Sequence, residues 1–155
     1  MNIEPKHIRM PNRIEKEWIR YKNFYNSLSH SVLAAILPVA AWGELPLEVK
    51  GTLIAALGYI GHKGIKETKR GYQTLRHYAF FIEKYNEFGP DFFSDAILLG
   101  NAKNIDYCSR RGFELALLKI GKTEPTLLGR YRTLCYTHRL KAFGSLKYDP
   151  NAVKS

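Results

Sequence analysis

The residues able to do chemistry are few and scattered. Cys108, Cys135 and His138 are three candidate zinc ligands, with only Cys135 and His138 close together in the chain. A finger-type site takes four ligands at short spacing. The two thiols suit small apolar core positions, and no local motif supports a Cys nucleophile with a His base. Asp91 and Asp95, four apart, form the one carboxylate pairing among 14 acidic residues. Acids at a helix start answer the helix dipole, which is the structural reading of that pair. The segment from Gly58 to Gly64 is glycine-rich, yet it follows no strand and lacks the Gly-Lys-Ser/Thr ending of a phosphate loop. No catalytic residue, metal or cofactor is expected, and the chain is not expected to be an enzyme.

Charge says more. The 155 residues carry 24 Lys+Arg against 14 Asp+Glu, a net +10, which favours anionic partners such as lipid headgroups or nucleic acid. By segment the balance is +3 over 1–25, −1 over 44–50, +3 over 63–87, −2 over 88–102 and +7 over 103–155. A short acidic loop thus lies between basic flanks. Arg13, Lys16 and Arg20 near the start, and Arg110, Arg111, Arg130 and Arg132 in the last third, are the candidate contacts to an anionic surface. Tyr107, Tyr131, Tyr136 and Tyr148, interleaved with that last group, could instead stack on bases. Two cysteines are too few for a disulfide scaffold, which points to a reducing location. The opening decapeptide has no apolar run, so no cleavable secretory signal is expected.

Between the flanks lies the apolar material. Residues 23–43 are 21 consecutive positions without a formal charge, about 30 Å of helix and close to the hydrocarbon thickness of a bilayer. The strongly apolar part is Val32 to Trp42, and a second apolar run extends from Gly51 to His62. Runs of this length are commonly core helices of a soluble protein. The acidic turn at residues 43–46, the basic flanks and the interfacial Tyr25 and Trp42 fit a membrane hairpin with both ends cytoplasmic. Gly51, Ala55, Gly58 and Gly61 would then supply close helix–helix packing. Both readings stand at this stage.

The elements around these runs are helical. Asn12 and Glu15 match a capping box, and Ile14, Trp18, Tyr21, Tyr25 and Leu28 recur on one face with Arg13, Lys16 and Arg20 toward the other. Tyr72, Leu75, Tyr78 or Ala79, Ile82 and Tyr85 predict a helix over 66–88 that Gly89 and Pro90 stop. Short helices over 91–99 and 109–120 end at Gly100 and Gly121, and Pro125 opens a last one reaching about Phe143. No period-2 alternation appears, so the expected class is all-α: a short membrane helical hairpin followed by a small basic helical domain. The expected divisions are an amphipathic juxtamembrane helix (1–26), the hairpin (27–65), a cytoplasmic helical domain (66–148) and a tail (149–155).

Residues 45–65 resemble the second membrane segment of small phage holins at Ala55, Ala56, Leu57, Gly58, Ile60, Gly61, His62 and Gly64, and the preceding run is similar to the first. Residues 94–121 resemble small phage and prophage proteins at Asp95, Ile97, Leu98, Gly100 and Asn101, with Ser109 and Arg111 matching a second part. Tyr107 and Cys108 depart from that pattern. The resemblance implies a phage-derived protein oligomerising in the bacterial inner membrane to permit lysis, in contact with anionic lipids. The alternative is a soluble all-α protein of a mobile element, cytoplasmic, that binds nucleic acid or acts as an adaptor.

Overall fold

The computed structural model describes residues 7–103 and 106–140, and among these every regular element is helical. Helix α1 (Arg13–Ala40) follows Pro11 and Asn12, with Glu15 in its first turn where the helix dipole favours an acid. It runs unbroken past residue 26, so the amphipathic segment and the first apolar arm are one element. A 3₁₀ turn at Trp42–Glu44 and then Pro46 reverse the chain. The Pro46 carbonyl accepts from the Lys50 N–H at 3.1 Å and so starts α2 (Leu47–Phe88).

α2 is 42 residues long, roughly 63 Å at the helical rise. The sequence separates a hairpin arm ending near residue 65 from a helix beginning at 66, but no break occurs there. Gly58, Gly61 and Gly64 each weaken a helix by about 1 kcal/mol without interrupting its hydrogen bonds, as a proline would. The helix stops at Gly89, whose φ of +68° is the left-handed conformation that ends helices without a Cβ penalty.

The chain divides into two compact units. One is Arg13–Tyr72; among the described residues the other joins residues 7–12 to those from Gln73 onward. The second unit holds the main core. From the C-terminal part of α2 come Tyr78, Phe81, Ile82 and Tyr85, all buried. A 3₁₀ turn (Gly89–Phe92) leads to α3 (Asp95–Lys103), followed by α4 (Tyr107–Ile120) and α5 (Pro125–Thr137). Asp91 therefore lies outside the helix that Asp95 opens, and α3 runs past the expected end at Gly100 to Lys103. Phe113 on α4 is the centre of an aromatic cluster, with ring centroids 4.7 Å from Phe81, 5.5 Å from Tyr131 and 6.2 Å from Phe93. The N-terminal segment is pinned to α2: Ile8 donates to Asn86 Oδ1 at 2.8 Å, and Asn86 Nδ2 donates back to the Ile8 carbonyl at 2.9 Å.

Gly112 sets how closely α4 lies on α2. A Cβ there would fall 2.6 Å from the Thr74 carbonyl oxygen and 2.7 Å from His77 Cβ. Cys108 and Cys135 are both buried and form no disulfide, as expected of core thiols. The sequence predicts a last helix reaching about Phe143, but α5 ends at Thr137 and residues 138–139 form a turn; Lys141, Lys147, Tyr148 and the tail lie outside the described residues.

Candidate functional site

The unit Arg13–Tyr72 is a helical hairpin of α1 and the first part of α2. Its two arms meet along Phe24, Leu28, Gly64 and Gly71. A Cβ at Gly64 would touch Phe24 Cε2 at 3.1 Å and Leu28 Cδ1 at 3.3 Å, and one at Gly71 would collide with the main chain of Arg20. These two glycines, seven apart and hence on one helix face, let the arms close. Their Gly-x₆-Gly spacing was the available signal. The recurring small residues expected to pack helices, Gly51, Ala55, Gly58 and Gly61, lie outside this contact between the arms: Gly51, Gly58 and Gly61 have nothing within 4 Å of a Cβ, and Ala55 is exposed. They present open backbone on the outside of the hairpin.

That outside is greasy. Leu28 and Ala35 are buried on α1, whereas Ile14, Trp18, Tyr21, Tyr25, Val32, Ile36 and Val39 are exposed. On α2 Leu47 is 85 % exposed, Ile65 73 %, Tyr59 65 % and Ile54 61 %. At the tip the Lys50 ammonium stands 5.9 Å from the Trp42 ring, an arrangement of cation and aromatic suited to an interface. No described helix is both long and apolar enough to cross a membrane.

The basic residues separate into different environments. Arg13 and Lys16 are exposed. Arg20 is not directed away from the aromatic stripe: its guanidinium lies 4.0 Å from the Tyr72 ring and 5.3 Å from that of Tyr21, donates to the Tyr72 hydroxyl, and pairs with Glu17 at 2.8 Å. Arg130 is exposed and bonded to Asp95 at 2.5 Å. Arg110, Arg111 and Arg132 are half-buried, and Arg110 Nε reaches Glu114 at 3.3 Å. Glu114, which sequence reasoning did not single out, is an almost fully buried carboxylate.

One set of residue types deserves a chemical test. Ser109 Oγ lies 3.1 Å from His77 Nδ1 and 3.0 Å from Nε2, with Asp106 three residues before it. A relay needs the acid to orient the imidazole and the imidazole to meet the hydroxyl end-on. Here Ser109 is buried and sits between both ring nitrogens. Asp106 accepts from the Cys108 and Ser109 N–H groups at 2.8 and 3.2 Å as the N-cap of α4. Those bonds, Ser109 N–H first, hold its carboxyl below the ordinary value. Burial raises the Cys135 thiol above its ordinary value, away from the thiolate a nucleophile or metal ligand needs. Among the described residues no three His, Cys, Asp or Glu side chains group as a metal site.

The fold defines the class: an all-α protein built of a helical hairpin and a small helical unit. Compared with known proteins, the chain matches no protein-family model, no curated protein and no solved structure.

Proposed function

We propose that this is a small membrane-associated protein of holin type, whose hairpin enters the inner membrane of a bacterium and assembles there with other copies to permit lysis. One observation carries the reading. Around the distal hairpin, apolar side chains face outward on more than one side, with Ile36 and Val39 on α1 and Val49, Ile54, Leu57 and Tyr59 on α2. A helix that is apolar on several faces needs a surrounding apolar phase rather than one packed neighbour. Each such side chain, already partly covered, gains a fraction of the roughly 1.5–3 kcal/mol that full removal of an apolar side chain from water provides. The charges support the same orientation, since α1 has none after Lys22 and the exposed Arg13 and Lys16 stand at the open end. Neither arm has the length and hydropathy to cross alone. Insertion of the pair therefore relies on a locally thinned bilayer, the arms shielding each other's backbone and Lys50 reaching outward beside Trp42. Anionic lipid headgroups are the partners of the basic end.

The experiment is fractionation of cells expressing the full chain. The protein pellets with membranes and resists alkaline carbonate, and its induction alone collapses the membrane potential. Recovery in the carbonate supernatant overturns membrane insertion; a membrane-bound protein that leaves the potential intact overturns the lytic assembly.

A second reading has its own observation. α5 carries no acidic residue, and Thr126, Arg130, Thr133 and Tyr136 on it are exposed, joined to α4 by the short segment Gly121–Glu124. A helix of that composition after a tight turn suits a nucleic-acid groove. Under this reading the full chain binds duplex DNA or RNA at 200 mM salt, where purely Coulombic attraction has largely faded (by roughly 10³-fold for six or more phosphate contacts).

A further inference from the structure

The exposed apolar residues of α1 are not spread at random around the helix. Ile14, Trp18, Tyr21, Tyr25, Leu28, Val32, Ala35 and Val39 follow one another at spacings of 4, 3, 4, 3, 4, 3 and 4. Leu28 and Ala35, at the inner edge of this stripe, are buried inside the hairpin, while the other six are 36–79 % exposed. At 100° per residue the six lie about 60–120° from Phe24, which packs on Gly64 of α2. The stripe is thus roughly a quarter turn away from the face that α2 occupies. It keeps the 3.5-residue period of a coiled-coil seam over almost four heptads, with Trp18, Tyr25, Val32 and Val39 at the a positions. Beside it an apolar groove of about 670 Å³ opens, lined by Leu28, Gly61, Gly64, Ile65 and Tyr72.

We infer that this seam pairs α1 with the α1 of a second copy of the chain, side by side and parallel. The flanking charges select that occupant. With the a positions assigned as above, Glu17 takes a g position and Lys22 the following e position. In a parallel pair, each Glu17 meets the Lys22 of the other copy, giving two symmetric ion pairs next to the Tyr21 layer. The remaining flanking positions from residue 24 onward are Phe24, Ser29, Ser31, Ile36 and Pro38, so no like charges oppose. The inference deepens the assembly proposed above, naming its contact and direction. It rests on that reading only for residues 32–39; the aromatic half, Ile14 to Tyr25, carries it independently.

The test uses the full chain with Cys108 and Cys135 replaced by alanine and a single cysteine introduced by Tyr25→Cys, Val32→Cys or Val39→Cys, under mild oxidation. All three form disulfide-linked dimers, while Lys16→Cys and His30→Cys, on the opposite side of α1, do not. Linkage at one seam position alone indicates an antiparallel pair and overturns the proposal. Linkage at none, with helicity intact by circular dichroism, means that lipid or another protein covers the stripe, and overturns it too. Charge exchange gives a second readout. Glu17→Lys and Lys22→Glu each weaken dimerisation on the order of tenfold, about 1.4 kcal/mol, and the double variant restores it. Two weak singles with an equally weak double overturn the Glu17–Lys22 register. Seam cross-links in a protein found in the carbonate supernatant would sink the membrane reading and leave the pairing. A membrane-bound protein without cross-links does the reverse.

Discussion

The Tyr131 hydroxyl donates to Glu114 Oε1 at 2.7 Å, and the two residues are 0 % and 1 % exposed. The same carboxylate oxygen receives Arg110 Nε at 3.3 Å. A buried carboxylate is tolerable only with such partners, and removing it strands them. Glu114→Ala is expected to cost about 3 kcal/mol in urea unfolding. Tyr131→Phe, which leaves Arg110 on the carboxylate, should cost about 1–2 kcal/mol. A Glu114→Ala protein as stable as the parent would show that the network contributes nothing.

Alkaline pH should unfold the helical unit. Burial first, then the bond to Glu114, pushes the Tyr131 hydroxyl well above its ordinary 10.0, and burial raises Tyr85 as well. Both are protonated in the folded and unfolded states below about pH 10, so stability there is complete. Above it the unfolded tyrosines ionise first, and stability falls as pH rises toward the folded-state values. Tyrosinate absorbance should show these two of the ten tyrosines ionising only together with loss of helicity. Smooth ionisation of all ten in the folded protein contradicts the expectation.

Two glycines and a third predict opposite responses to alanine. Ala in place of Gly ordinarily gains a helix about 1 kcal/mol, and Gly129, with open space around it, should show most of that gain. At Gly112 the added methyl meets the main chain of Thr74, and at Gly71 that of Arg20, neither of which can rotate away. Gly112→Ala and Gly71→Ala should instead lose about 1–3 kcal/mol through displaced helices. Equal melting shifts for Gly112→Ala and Gly129→Ala would contradict the close packing of α4 on α2.

The cap of α4 has a pH signature. Asp106→Ala should cost about 1 kcal/mol and Asp106→Asn much less. Because the folded-state carboxyl titrates below the ordinary 3.8, the charged cap's contribution is present above that pH. It is lost as pH falls through the lowered value. Acid unfolding of Asp106→Asn should therefore lack this part of the parent's pH dependence, and superimposable acid profiles would assign the cap no electrostatic share.

Local order was readable from the chain because caps, prolines and periodicity act within a few residues. The all-α class, the reversal after Trp42, the stop at Gly89, the end of α4 at Gly121 and the start of α5 at Pro125 are all of this kind. The candidate site was only partly readable. The aromatic stripe from Ile14 to Tyr25 was visible as a 3.5-residue period, but which side of α1 the other arm covers was not. Periodicity shows that a face exists, and only the way two helices meet decides what it touches. For the same reason the chain did not show that Gly64 and Gly71 hold the arms together, or that Arg20 turns onto Tyr72. Glu114, one acid among fourteen, became distinctive when tertiary packing closed Tyr131 and Arg110 around it, since burial belongs to the assembled core and has no local code.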